Sequence, residues 1–351
     1  MNTIQRISVA MATYNGEKYI EEQLLSICRQ TRKPDEIVIS DDGSKDATLE
    51  VVARVAKSED AQGIEFVVIT DNPRHGYCGN FEWAIKHTTG DLIFLSDQDD
   101  VWLPEKVEEI WSVFDRHSDA MCVIHGATLI NQYGERIPGE FHRLIKLDQL
   151  PTNDDCEVQL PQNEYLERAA SAALANGMVM CLSRKLLDTA LPFPKSSGLH
   201  DCWIGFCAMV HDRCWYLNKS LAEYRLHGTN TCGNSAQKAG ITQRVKRAFR
   251  KISNCQSAVL ERYQLGKEMV RVLDSAGLSN HLAYGTAKRV CDIGKIQAEA
   301  FCTGGIVGAY QLSRLFLTDM RYRRSGTSDF LYQLAAVMFR KKDQLPKEDF
   351  L

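Results

Sequence analysis

Three carboxylates fall within four positions of the stretch Gly90–Trp102, GDLIFLSDQDDVW: Asp97, Asp99 and Asp100. Carboxylates crowded in this way repel one another unless a positive group sits among them. Asp97 and Asp99, two residues apart after an apolar run, can offer oxygens to a hard divalent cation. Mg²⁺ or Mn²⁺ usually takes one or two protein carboxylates and completes its shell with water and substrate phosphates. The bland alternative is capping, and Asp100 in particular is expected to do no more than begin the next helix.

Four further stretches carry polar chemistry. In ISDDGSKDAT (Ile39–Thr48), carboxylates at a strand end can accept hydrogen bonds from a nucleobase NH or a ribose hydroxyl. There Gly43 lets the backbone turn, and one of Asp42, Ser44 and Asp46 is expected to cap the following helix. In MATYNGEKYI, the Tyr14 ring can lie against a base or pack within its turn. In GLHDCW (Gly198–Trp203), His200 and Asp201 precede an apolar helical stretch. Asp201 is either a cap or a general base aimed into a cleft. In YRLHGTN (Tyr224–Asn230), Arg225 and His227 share one side of an extended segment, and an isolated His there reads first as structural.

Elements must position these groups. Apolar runs at Ile7–Ala12, Glu36–Ser40, Ile64–Thr70 and Leu92–Ser96 read as strands. They alternate with helical patterns in EKYIEEQLLSICRQ, KDATLEVVARVAK, NFEWAIKHT and PEKVEEIWSVFDRH, the last with Pro104 placed for its first turn. Such alternation predicts an α/β fold whose parallel sheet is covered on both faces, with ligands beyond the carboxyl ends of the strands. TYNG, DDGS, DNPRHG and DQDD all fall at those ends. MCVIHGATLI reads as one or two strands, YGERIPGE as a turn, and Asn153–Glu157 as a loop. After Gly233 the chain reads as helical, with no strand signal.

The 351 residues are 44% hydrophobic and 25% charged, enough to bury a sizeable core. Net charge is −3 but unevenly divided: 22 basic and 35 acidic residues to Gly233, then 20 basic and 10 acidic. An acidic body, residues 1–233, is therefore expected to carry a basic helical region, 234–351, that meets something anionic. The twelve cysteines form no CxxC pair. Met1–Ala10 holds no signal-like apolar stretch, so free thiols in a reducing cytoplasm are expected. No window of about 20 apolar residues suggests a membrane span.

Taken in order, these motifs resemble glycosyltransferase family 2, the inverting nucleotide-sugar transferases of the GT-A fold. The resemblance runs from about Ile7 to about Gly233. VAMATYNGEKYIEEQLLSI resembles the family's opening strand and helix, EIVISDDGSKDAT its nucleotide-binding motif, and LSDQDDVWLPEKV its DxD metal motif. SDQDDVW with LHDCW and YRLHGTN is similar to the rhamnosyltransferase and surface-polysaccharide subgroup. The resemblance implies a GT-A, Rossmann-like, mostly parallel sheet flanked by helices, with a helical C-terminal region.

It also implies roles. Ala12 and Tyr14 contact the base, and Asp41, with Asp42, bonds base or ribose. Asp97 approaches ribose or the metal shell, and Asp99 is the principal ligand of Mg²⁺ or Mn²⁺. His227 lies near the diphosphate or the metal. Asn176 and Gly177, in ANGMVM, line the acceptor side, and Asp201 is the catalytic base. Cys202 departs from the subgroup, where an aromatic is usual, and Trp203 is then the surviving acceptor-side ring. The implied partners are a dTDP-, UDP- or GDP-sugar and a glycan or lipid-linked acceptor, with no nucleic acid. Rhamnose from a dTDP donor is the first expectation, in surface-polysaccharide synthesis, with inversion at the anomeric carbon.

In the basic region, Ile241–Ile252, Arg314–Arg324 and Phe330–Lys342 mix cations with apolar residues. Two readings stand: peripheral contact with an anionic membrane, at the inner face of the plasma membrane, or an ordinary bundle with cationic helix ends. Three rival functions are weaker. A haloacid dehalogenase phosphatase needs its nucleophilic Asp at the end of the first strand, where ATYNG stands. A dinucleotide oxidoreductase needs G-x-G-x-x-G there. A non-catalytic carbohydrate-binding protein needs no metal motif and separate base together.

Overall fold

The computed structural model describes residues 6–73, 76–138, 157–170, 174–194, 200–228, 263–303 and 311–312. The chain divides into two compact units, Met1–Phe193 with Leu199–Asn234, and Pro194–Gly198 with Ser235–Leu351.

In the first unit the order is β1 (Ile7–Thr13), α1 (Ile20–Cys28), β2 (Glu36–Asp41), α2 (Thr48–Val55), β3 (Glu65–Ile69), α3 (Tyr77–His87) and β4 (Leu92–Ser96). There follow β5 (Val101–Trp102), α4 (Lys106–Arg116), β6 (Cys122–Asn131), β7 (Glu157–Gln159) and α5 (Gln162–Ala169). The unit ends with β8 (Met180–Ser183), the short α6 (Leu187–Ala190), α7 (His200–Val210) and β9 (Cys214–Leu226). One mixed sheet holds all nine strands, in the order β3-β2-β1-β4-β8-β6-β9-β5, with β7 beside β9.

The four strands β3-β2-β1-β4 are parallel, as their uninterrupted apolar runs imply. Every residue of β2 and β4 is buried, and α3 packs on β1 and β2. Between β4 and β8 the strand direction reverses. From there the sheet is mixed: β8 is antiparallel to β6, β6 is parallel to β9, and β9 is antiparallel to β5 and β7. The parallel sheet expected from the strand–helix alternation is these first four strands, and the remaining strands extend it in mixed directions. β5, β7 and β8 hold only two, three and four residues, too few to show a period of their own.

Details shift elsewhere. MCVIHGATLI is one strand, β6, with irregular pairing to β9 at His125–Gly126. Glu157 opens β7 rather than closing a loop, while 153–156 lie outside the described residues. Asp100 does not begin α4, whose N-cap is Glu105.

In the second unit, helix α8 covers 263–275 and α9 covers Leu282–Thr303. They cross closely. A Cβ on Gly266 would stand 2.4 Å from the Cys291 nitrogen, and one on Gly294 2.7 Å from the Tyr263 Cα. The segments 241–252, 314–324 and 330–342 lie outside the described residues. No described helix is long and apolar enough to cross a membrane. Among the described residues no disulfide joins Cys28, Cys78, Cys122, Cys181, Cys202, Cys207, Cys214 or Cys291.

Candidate active site at the carboxyl ends of the strands

Parallel pairing puts the ends of β1, β2 and β4 side by side: Thr13 pairs with Asp41, and Met11 with Ser96. The loops that follow are tied together by side chains. Asn15 N donates to Ser44 Oγ (2.8 Å), and Asn15 Oδ1 accepts from Lys45 N (2.8 Å). Gly16 N donates to Thr48 Oγ1 (2.7 Å), and Glu17 Oε2 accepts from Ala47 N (2.9 Å). Asp42 Oδ2 accepts from Gly76 N (2.8 Å), which ties in the loop before α3. Asp46, not Asp42 or Ser44, acts at the start of α2, its Oδ1 accepting from Thr48 N (3.1 Å). These bonds satisfy loop backbone that has no ladder partner.

Above these ends opens a cleft of about 630 Å³. Ala12, Tyr14, Asp42, Asp97, Asp99, Asn176, Gly177, Asp201 and His227 all border it. Residues separated by more than 200 positions thus share one wall system. Two of the anticipated residues do not. Asp41 is 1% exposed, and its oxygens are taken by Thr13 Oγ1 (2.9 Å), Gly43 N (3.0 Å), Ser44 N (2.8 Å) and Ser44 Oγ. It builds the loop, and Asp42 is the carboxylate that faces the cleft. Trp203 is 3% exposed, with its indole N–H donating to Ala190 O (2.8 Å) and its ring against Phe206. Two residues along α7 from Asp201 is about 200° of rotation, so Trp203 faces the core.

The acidic cluster is electrostatically loaded. Burial, then the charges of Asp99 and Asp201, push the Asp97 carboxyl up to about 7. Burial, then Asp99 and Asp97, raise Asp100 well above the carboxylate range. Asp201, distant in sequence, is therefore a charged neighbour of Asp97. Its own Oδ1 accepts from Cys202 N (2.7 Å). Asp99 Oδ2 accepts from His227 Nε2 (2.8 Å). Lys106 lies beneath the cluster, fully buried, its Nζ donating to Met178 O (2.8 Å) and resting 3.8 Å from the Trp102 ring centroid. Desolvation lowers its pKa to about 7, so it offsets the acidic group only in part.

A divalent cation fits this arrangement. Among the described residues no group of three or more metal-ligating side chains is preassembled. Asp99, with His227 beside it and Asp97 close by, suits an ion that draws its remaining ligands from water and a diphosphate.

Residues 8–157 match glycosyl transferase family 2. The dTDP-rhamnosyl transferase RfbG of Shigella flexneri is 41% identical over 232 residues, 64% of this chain and 73% of RfbG. The chain belongs to glycosyl transferase family 2. An uncharacterized glycosyltransferase of Nostoc sp. is 28% identical over 235 residues, 64% of this chain, which spans 66% of that relative's length. The crystal structure of S. aureus TarS 1–349 in complex with UDP-GlcNAc shares the fold, with a TM-score of 0.50 at 17% identity over 95% of this chain and 90% of that one.

Within this family 2 cleft, several residues escaped the motif reading. Gln98 accepts from Tyr14 N (2.9 Å) and donates to Tyr14 O (3.1 Å), so it clamps the turn that presents the exposed Tyr14 ring. Asn80 on α3 donates to Thr13 O (3.0 Å). Arg225 donates from its backbone N to Asp100 Oδ1 (3.0 Å), from Nε to Asp99 O (2.8 Å) and from Nη2 to Glu22 (2.6 Å). Lys106 did carry a signal, since it falls on the apolar face of α4 with Ile110 and Val113. Gln98 carried none, as a polar residue between two aspartates reads as filler.

Proposed function

We propose that this chain transfers a sugar from a nucleotide-sugar to a hydroxyl acceptor by a single displacement that inverts the anomeric carbon. The observation that carries the reading is Asp201 brought into electrostatic range of Asp97 within the cleft that Asp99 and His227 also border. Asp201 takes the proton of the acceptor hydroxyl as it attacks. Tyr14 and Asp42 hold the base and ribose, and Asn176 and Gly177 border the acceptor. Asp99, with Asp97, would hold Mg²⁺ or Mn²⁺ against the donor diphosphate. Such an ion, when bound, offsets charge developing on the departing nucleoside diphosphate. Much of the remaining rate comes from holding both substrates in line.

The donor we propose is dTDP-rhamnose, on the likeness to RfbG, and the acceptor a glycan or lipid-linked saccharide in surface-polysaccharide synthesis. The basic region after Gly233 supports work at an anionic membrane face on the cytoplasmic side.

Two variants test the assignment. Asp99→Ala is expected to lose metal-dependent nucleotide binding. Asp201→Ala is expected to keep that binding and lose transfer by at least a thousandfold. Transfer surviving in Asp201→Ala, or a product that retains the donor's anomeric configuration, overturns the mechanism.

A further inference from the structure

His200 opens α7 directly before Asp201, and the motif roles leave it without a task. It is 6% exposed and borders the cleft. Its ring is stacked on Phe81, with centroids 4.0 Å apart and planes inclined by 20°. Among the described residues neither ring nitrogen has a hydrogen-bond partner. Nε2 occupies space that only a glycine at 177 leaves open, since a Cβ there would lie 2.5 Å from it. The imidazole is thus held by shape alone, between an aromatic face and a strip of backbone, and its two polar atoms are left over.

Buried polar atoms without partners carry the full cost of desolvation, and such groups are rare unless something completes them. Burial also lowers the pKa of this ring, opposed by Asp201, so at neutral pH it presents one donor and one acceptor rather than a cation. That combination suits an alcohol, which also donates and accepts. It suits a phosphate poorly, because phosphate favours charged donors. In the proposed reaction the transferred sugar lies between Asp99, which faces the diphosphate, and Asp201, which faces the acceptor. His200 adjoins Asp201 on that same wall.

We infer that His200 is a specificity-determining residue that turns off its Phe81–Gly177 seat to hydrogen-bond a hydroxyl of the donor's sugar ring. The inference rests on the reading of the cleft as a nucleotide-sugar site. Gly177 then serves as the seat that the imidazole leaves. A Gly177→Ala methyl drives the ring into the sugar space, and the added His200→Ala relieves it. A site built to bond a sugar hydroxyl discriminates strongly, because the unmet partner is buried again when the hydroxyl is missing.

Calorimetry on the full chain with Mn²⁺ tests this, comparing dTDP-rhamnose with dTDP, UDP-glucose with UDP, and GDP-mannose with GDP. For the pair that the parent binds, His200→Phe is expected to weaken the nucleotide-sugar at least tenfold and leave the nucleoside diphosphate unchanged. Its melting temperature should match or exceed the parent's, because an unpartnered polar ring has become apolar. His200→Gln, which keeps a donor and an acceptor, should recover part of the affinity. Gly177→Ala should lose the same selectivity, and Gly177→Ala with His200→Ala should regain space without selectivity. The proposal is overturned if His200→Phe binds the nucleotide-sugar like the parent, if it weakens both ligands equally, or if only the KM for acceptor moves. A parent chain that binds none of the six ligands removes the nucleotide-sugar reading itself, and this contact with it.

Discussion

Gln98 shows how a residue can matter without touching chemistry. Its amide matches both backbone groups of Tyr14, so the exposed ring is presented from a fixed turn. Two neutral hydrogen bonds are together worth about 1–3 kcal/mol. Gln98→Ala should therefore lower stability by about that amount and, with the turn under Tyr14 released, weaken nucleotide binding as well; thermal unfolding and titration measure the two, and unchanged binding would refute the clamp. His125 gives a pH prediction. Burial, then the charge of Lys106, holds this ring neutral well below the ordinary 6.5, with Nδ1 donating to Gly126 O (2.7 Å). The unfolded chain takes up that proton near its ordinary value and the folded chain does not. The contribution is thus intact above about pH 6.5 and is lost as the pH falls. Asp97, pushed up to about 7, acts in the opposite sense between there and 3.8, so the useful comparison is variant against parent. His125→Leu should flatten the loss of stability between pH 6.5 and 5, and an unchanged slope would refute the assignment. Of these residues the carboxylates could be read directly, because two aspartates at a strand end are conspicuous. Gln98 and the burial of Asp41 could not, because they depend on which side of a loop a side chain turns, whereas Lys106 carried only the signal of its place on the apolar face of α4.

The elements divide in a similar way. The four strand–helix repeats from β1 to α4 could be read because buried parallel strands are continuous apolar runs bounded by turn residues. The two-residue β5 and three-residue β7 carry no periodicity of their own, and they exist because β9 offers them an edge. β9 also fixes the acidic loop from behind. Arg225 reaches from it to Asp99, Asp100 and Glu22, with a guanidinium 4.9 Å from the Tyr19 ring centroid and a side chain 2% exposed. Arg225→Met should cost about 1–3 kcal/mol in chemical denaturation, as the half-buried Asp99 carbonyl loses its donor. Metal-dependent nucleotide binding should weaken with it. Arg225→Lys should not rescue either, since one ammonium cannot reproduce the planar fork whose Nε meets Asp99 O and whose Nη2 meets Glu22. Full activity in Arg225→Lys would show that the loop holds its own shape.

At the scale of the molecule, charge is partitioned along the chain: an acidic cleft-bearing unit is followed by a region with twice as many basic as acidic residues. If that region meets an anionic surface, full-length protein should sediment with vesicles containing phosphatidylglycerol at low ionic strength. Binding should fade over the range in which the Debye length shrinks from about 30 to 8 Å. Replacing Arg321, Arg323 and Arg324 with Gln should shift that salt curve downward while leaving nucleotide affinity alone. Composition disclosed the division, whereas the mixed half of the sheet stayed hidden because its strands meet across long stretches of chain. The reversal between β4 and β8 has a consequence for how such a molecule diversifies. One wall of the cleft comes from the contiguous stretch 12–99, and the other from 174–228, joined to it through the three paired positions of β4 and β8. The second stretch forms a cassette: a chimera that takes β6 through β9 and His227 from a relative should keep the register of β1 to β4 and the Tyr14–Asp42 wall, while Asn176, Gly177, His200, Asp201 and His227 are exchanged together.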